Sequence, residues 1–190
     1  MLVTVLSYFL CSYGLLYHAF VPCSVPEQLR AHTVNHQQFL GKWFLKATVG
    51  RRETDILKFK DLDSMWISME EPVNDTLLVT GKMRIGDDCI TQTWTYHIFP
   101  DRDDVVLEGL PKRRTPLWSG KWANCSDCLI IQEVEPPLKE TDTEDSLNRY
   151  LLHMRQSDNN PEVVKAFQNN LACHNKSTIF ILPQEKEFCT

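Results

Sequence analysis

Leu40-Gly41-Lys42-Trp43-Phe44 opens the first strand-like run that follows an apolar N-terminus. A glycine followed two residues on by a tryptophan suits the floor of a β-barrel. The backbone bends sharply where glycine is tolerated, and one large ring closes the bottom. Gly-x-Trp arises by chance in many chains, so its weight here comes from context. Strand-like segments follow it, and near the C-terminus Leu151-Leu152-His153-Met154-Arg155 leads into a helical stretch that begins at Pro161.

The alternation of apolar residues predicts about eight strands. They are Trp43 to Val49, Ser64 to Met69, Thr76 to Arg84, Ile90 to Phe99, Val105 to Gly109, Thr115 to Ser119, Leu129 to Val134 and Leu147 to Met154. Gly86-Asp87-Asp88, Pro100-Asp101-Arg102-Asp103 and Pro136-Pro137 punctuate them as turns. From Pro161 the pattern changes: proline in the first turn, Glu162 beside it, and Val163, Val164 and Phe167 on one stripe predict a helix. The expected fold is all-β, an eight-stranded antiparallel up-and-down barrel with one C-terminal helix packed outside and room inside for one small ligand. A β-sandwich is the alternative. In Ile90 to Phe99 the face carrying Gln92, Trp94, Tyr96 and Ile98 is expected to point inward; in Leu147 to Met154 parity does not choose between the two faces.

A chain of 190 residues with 43% hydrophobic content can bury one sizeable core, and no linker or repeat divides it. A net charge of −5 gives no footprint for nucleic acid, and Lys112-Arg113-Arg114 is too short a basic run to supply one. Residues 1–22 are apolar, without Lys, Arg, Asp or Glu, and read as a secretory signal segment ahead of a domain spanning 23–190. The segment lacks a basic start, and Ala19-Phe20-Val21-Pro22 is poor cleavage chemistry. Removal and retention as an anchor therefore both stay open. Seven cysteines, at 11, 23, 89, 125, 128, 173 and 189, leave six outside this segment, enough for three disulfides in an oxidising compartment. Cys125-Ser126-Asp127-Cys128 reads as a structural disulfide rather than half a zinc site, because no second ligand pair lies near it. Asn74, Asn124 and Asn175 stand in glycosylation sequons. No metal or cofactor is expected.

Several separated segments resemble the apolipoprotein M-type lipocalins nearly end to end. They are the leader with Cys23, Leu40-Gly41-Lys42-Trp43, Trp94-Thr95-Tyr96-His97, Glu108-Gly109, Cys125 ahead of Leu129-Ile130-Ile131-Gln132-Glu133, Arg149-Tyr150-Leu151-Leu152, and Phe180-Ile181-Leu182-Pro183 ahead of Cys189. The resemblance implies a secreted, monomeric carrier of sphingosine 1-phosphate or a related lipid, held to a plasma lipoprotein particle by its retained leader. It implies a cavity that uses Trp94, Tyr96, Glu133, Arg149 and His153 around the lipid head group. Arg155 is expected to lie across the ring of Trp43 as a structural closing contact, worth about 0.5–2 kcal/mol. The pairings implied are Cys23–Cys173 and Cys89–Cys189, and Cys125, whose usual partner position is Val163 here, is left to bridge Cys128.

The chain departs from that pattern where two head-group arginines are expected, since Gln92 and Leu110 occupy those positions. Each lost charged hydrogen bond removes roughly 1.5–3 kcal/mol, against on the order of 10 kcal/mol from burying about a dozen methylenes. Tail binding is thus expected to persist while phosphate selectivity weakens. Arg84, Lys112, Arg113 and Arg149 are the candidate replacements. Two rival functions are an isomerase using Cys89, Cys125 or Cys128 with His97 or His153 as base, and a protein-binding lipocalin. The even set of secretory cysteines favours a binding protein over an enzyme.

Overall fold

The computed structural model describes Cys23 and residues 27–190; the expected leader lies outside the described residues. Eleven strands are formed: β1 (Gln28–Leu29), β2 (Gly41–Gly50), β3 (Leu62–Val73), β4 (Thr76–Ile85), β5 (Asp88–Ile98), β6 (Val105–Leu107), β7 (Arg114–Thr115), β8 (Leu117–Ser119), β9 (Cys128–Glu135), β10 (Leu147–Met154) and β11 (Thr178–Ile181). Among the described residues two α-helices accompany them, α1 (Glu53–Ile56) and α2 (Pro161–Ala172). Strands β2 to β7 pair in sequence, β8, β9 and β10 pair in turn, and β10 pairs back to β2. The sheet closes where Arg114 of β7 pairs Val134 of β9. All pairings are antiparallel, so the closed barrel of eight staves is the architecture rather than a sandwich.

Several elements differ from the sequence expectation, the short β1 and α1 among them, neither of which was expected. The stave expected from Thr115 to Ser119 is split into β7 and β8 by Pro116, which has no N–H for the ladder. The strand expected to reach Gly109 stops at Leu107, because Gly109 turns with φ +78°. Strand β11 was not expected; it adds to the far end of β2, with Thr178 opposite Gly50 and Ile181 opposite Ala47.

Interior and exterior follow from register. Along β10, Arg149, Leu151 and His153 face the barrel axis, opposite Glu133, Ile131 and Leu129 of β9. Tyr150, Leu152 and Met154 face outward yet are equally buried, because α2 lies on them. That is why parity could not choose between the faces of this strand. Helix α2 is capped by the Asn160 side chain, which accepts from the Val163 N–H at 3.2 Å, with Pro161 following it. Its Val163, Val164, Phe167 and Leu171 bury against Ala47, Val49, Ile130 and Leu152. A β-bulge makes this possible: Leu152 pairs Ala47 but His153 pairs Leu45, so Lys46 is an extra residue. The bulge turns Leu45 into the barrel core and Ala47 and Val49 out toward α2.

Six cysteines are paired as Cys23–Cys173, Cys89–Cys189 and Cys125–Cys128, at Cα separations of 5.8, 5.7 and 5.4 Å. In a chain-entropy model the two long-range bridges each restrict the unfolded chain by nearly 5 kcal/mol, and a three-residue separation by about 2 kcal/mol. The long bridges fasten the two chain ends that the barrel hydrogen bonds hold least.

Candidate functional site

Gly41 and Trp43 form the barrel floor. Gly41 adopts φ +88°, a conformation that disfavours any residue with a Cβ. Trp43 is buried and its Nε1 donates to the Phe39 carbonyl at 2.7 Å. The Arg155 guanidinium carbon stands 3.6 Å from the Trp43 ring centre. Its nitrogens donate to the carbonyls of Gln38 (2.6 Å), Leu40 (2.8 Å) and Lys42 (3.1 Å), tying the incoming segment to the floor.

Above the floor lies a cavity of about 110 Å³. Met65, Ile67 and Met69 of β3, Leu77 and Val79 of β4, Trp94 and Tyr96 of β5, and Leu117, Ile131 and Leu151 form its walls. Gly81 makes room for the Trp94 indole: a Cβ there would lie 2.6 Å from Trp94 Cζ3. Nothing but a glycine inside a strand pattern signalled this close approach in the sequence.

At the other end the cavity reaches a charged mouth. Glu133 forms a buried ion pair with Arg149, and Arg113 approaches Glu133 at 3.6 Å while pairing with Glu135 at 2.5 Å. Arg149 also donates to the Asp55 carbonyl at 3.0 Å and lies 5.0 Å from the Phe59 ring centre, which fixes the segment after β2 over the mouth. Arg52 adds to that hold, through Asp55 at 2.7 Å and the Asp145 and Ser146 carbonyls at 3.0 and 2.9 Å. Lys58, carried by the same segment, lines the mouth beside Phe59. Burial alone would raise the Glu133 carboxyl, but Arg149, Lys58 and Arg113 together hold it below its ordinary value. Burial lowers Lys58 despite Glu133, and burial with Glu133 nearby raises Tyr96. Three cations therefore meet two carboxylates at this end of the cavity.

The structure brings Trp94, Tyr96, Glu133 and His153 to the cavity wall, but His153 lies four residues along β10 from Arg149, toward the floor rather than at the charged mouth where a head group would sit. Arg149 stands behind Glu133, buried rather than on a solvated face. Gln92 and Leu110 are not brought to the cavity; both are exposed. The physical reason is the shortness of β6, which pairs β5 only from Tyr96 to Ile98 and leaves the Gln92 end of β5 without a neighbour on that side. Leu110 sits in the turn after Gly109, pointing to solvent. Of the candidate replacement cations, Arg113 lines the mouth. Arg84 instead donates to the Glu187 carbonyl at 2.6 Å, and Lys112 is exposed. Lys58, Phe59 and Phe39 were not anticipated, since each lies in a connection whose sequence reads as solvated loop.

Cys89, Cys125 and Cys128 are all engaged in disulfides. Among the described residues no group of His, Cys, Asp and Glu could hold a metal ion. Asn74, Asn124 and Asn175 are exposed, the last two with φ of 53° and 59°.

Among solved structures the fold is similar to that of the siderocalin Ex-FABP, described as functioning through dual ligand specificities. The match has 14% identity and a TM-score of 0.59, and covers 80% of this chain and 97% of that one. A second siderocalin, described as revealing a dual ligand binding mode, matches with 18% identity and a TM-score of 0.62, covering 82% and 94%. Closed antiparallel barrel, Gly-x-Trp floor and outer helix define a lipocalin, a ligand-binding protein. Residues 1–190 match the ApoM domain, and the chain belongs to that family.

Proposed function

We propose that this chain is a secreted, monomeric, non-enzymatic carrier of a long-chain amphiphile with an anionic head, sphingosine 1-phosphate or a close relative, working on plasma lipoprotein particles. The observation that carries this reading is the axial division of the barrel. Mostly apolar side chains line its depth, and at its mouth Lys58 and Arg113 stand beside a single lining carboxylate, Glu133, which Arg149 pairs from behind. An alkyl tail gains from the first and a phosphate or carboxylate from the second. The cavity is smaller than the ~150 Å³ that admits a benzene in an engineered core, so a long tail requires the wall side chains to rearrange. With Cys89, Cys125 and Cys128 bonded, the lipocalin isomerase reading lacks a thiol nucleophile among the described residues. Attachment to a particle rests on the apolar segment 1–22.

Native mass spectrometry of protein from a eukaryotic secretory host tests the carrier reading; a protein that retains no lipid and takes up none would refute it. Head-group selectivity is read separately. Exposed Gln92 and Leu110 leave Arg113 and Lys58 as the cations facing a phosphate. The expected preference for sphingosine 1-phosphate over sphingosine is below about a hundredfold, or 2.7 kcal/mol. Replacing both positions by arginine should raise it. A wild-type preference above that value, unchanged in the double variant, would assign selectivity to Lys58 and Arg113 alone.

A further inference from the structure

Two polar groups that line the cavity have no hydrogen-bond partner although they are buried: the Thr115 hydroxyl and His153 Nδ1. Buried polar atoms in a native protein are almost always paired, so each points to something that belongs in the cavity. Their depths differ. Thr115 is one residue from Arg114, which pairs Val134, and so stands level with Glu133, within reach of any head group held at the mouth. His153 lies four residues along β10 from Arg149, roughly 13 Å along the strand at about 3.3 Å per residue and about 10 Å deeper for a barrel strand tilted about 40°. It is 2% exposed, and its cross-strand neighbours Leu45 and Leu129 are apolar. A water molecule needs two to four polar partners to stay in such a place; the Leu151 backbone, which hydrogen-bonds the ring, supplies one and these neighbours supply none.

We infer that His153 forms a second polar station, which binds an oxygen atom carried within the alkyl chain of the ligand. The cavity would then select long-chain anionic amphiphiles bearing a hydroxyl or carbonyl on the order of ten carbons from the head, given carbon–carbon bonds near 1.5 Å. This rests on the carrier reading above and adds the ligand's chain chemistry to it. Burial pushes His153 down to about 4 although a backbone hydrogen bond with Leu151 acts the other way, so the ring is neutral at physiological pH and offers a ring nitrogen rather than a charge. A neutral ring suits a hydroxyl or carbonyl and gives an anion no particular advantage. Leu151 and Ile131, between the mouth and His153, hold the intervening methylenes.

The test compares 12-hydroxyoctadecanoate, octadecanoate and 2-hydroxyoctadecanoate on the full chain by quenching of tryptophan fluorescence. The 12-hydroxy acid should bind roughly fivefold to tenfold more tightly than octadecanoate, the worth of one neutral hydrogen bond. The 2-hydroxy acid should show no dependence on His153. His153→Phe should bring the ratio of 12-hydroxyoctadecanoate to octadecanoate affinity to about one, whatever the affinity for octadecanoate itself, and His153→Gln should retain part of the wild-type ratio. In the wild type, the ring ¹⁵N shifts of His153 should move with the 12-hydroxy acid and not with octadecanoate, a readout that does not depend on a variant folding. Equal affinities for the three acids, an advantage that survives in His153→Phe, or equal ¹⁵N shifts with both acids would overturn the station and leave the carrier standing. Failure of all three acids to bind would overturn the station as well, and the carrier too if native mass spectrometry also finds no lipid.

Discussion

Replacing Arg155 by alanine removes the clasp on the barrel floor without touching the cavity. The side chain makes a cation–π contact with Trp43 at 3.6 Å and donates to the carbonyls of Gln38, Leu40 and Lys42. The ring contact contributes about 0.5–2 kcal/mol. The carbonyl bonds, charge-assisted but partly open to solvent, add less than their buried worth, so the sum is about 2–4 kcal/mol. For a domain of this size each kcal/mol moves the unfolding midpoint by about 2–4 °C, which gives a fall of about 4–16 °C. Neither Arg155 nor Trp43 lines the cavity, so lipid affinity per folded molecule should stay within about twofold, a shift near 0.4 kcal/mol. Arg155→Lys should fall between, because it keeps the charge but loses the planar fork that reaches several carbonyls at once. The measurements are calorimetry and a lipid titration well below the midpoint. A large loss of affinity with an unchanged midpoint would refute the structural role and make the pair a ligand contact.

Gly81→Ala should destabilise by about 1–3 kcal/mol and shift tryptophan emission, because its Cβ would meet the Trp94 ring at 2.6 Å; an unchanged emission maximum would show that the indole does not lie across Gly81. His36 carries a pH dependence: burial would lower it, but Glu71 Oε1 and the Ala31 carbonyl, 2.9 Å from its two nitrogens, both accept hydrogen bonds and raise it above 6.5. Its stabilisation is then complete below pH 6.5 and is lost as pH rises through the raised value, so the gap in unfolding midpoint between wild type and His36→Gln should narrow between pH 6 and 8; a constant gap would refute the assignment. N-terminal sequencing of secreted protein should find residue 1 retained, and a start at or beyond Cys23 would remove the proposed anchor.

The barrel was legible because most staves keep one face for the core, and a period of two survives in sequence wherever only that face is apolar. It failed where two packings act on one strand. Strand β10 is covered by the cavity on one side and α2 on the other, so both of its faces are apolar. In β2 the bulge at Lys46 reverses the alternation midway, and the only trace is a lysine inside an apolar run. That lysine is 2% exposed, donating to the Ser157 carbonyl at 2.7 Å and Gln184 at 3.1 Å; burial lowers its pKa to about 8. A one-dimensional reading would place it in water. Strand β11 was hidden for a related reason, since four residues extending an existing strand need no alternation of their own.

The mouth was harder to read than the walls because its residues come from unrelated elements. Glu133 and Arg149 sit opposite each other on β9 and β10, and the pairing register places them together. Arg113 comes from the turn between β6 and β7, and Lys58 from the segment after α1, where a lysine looks solvated. Resemblance drew attention to Gln92 and Leu110 as absent charges, but strand length decides what those positions can do. With β6 only three residues long, Gln92 stands on an open rim. A charge restored at Gln92 or Leu110 therefore acts from outside the barrel, through solvent, while Arg113 acts from within the wall. Equal formal charges at the two depths should differ in effect, because screening over a Debye length of about 8 Å weakens the first and spares the second.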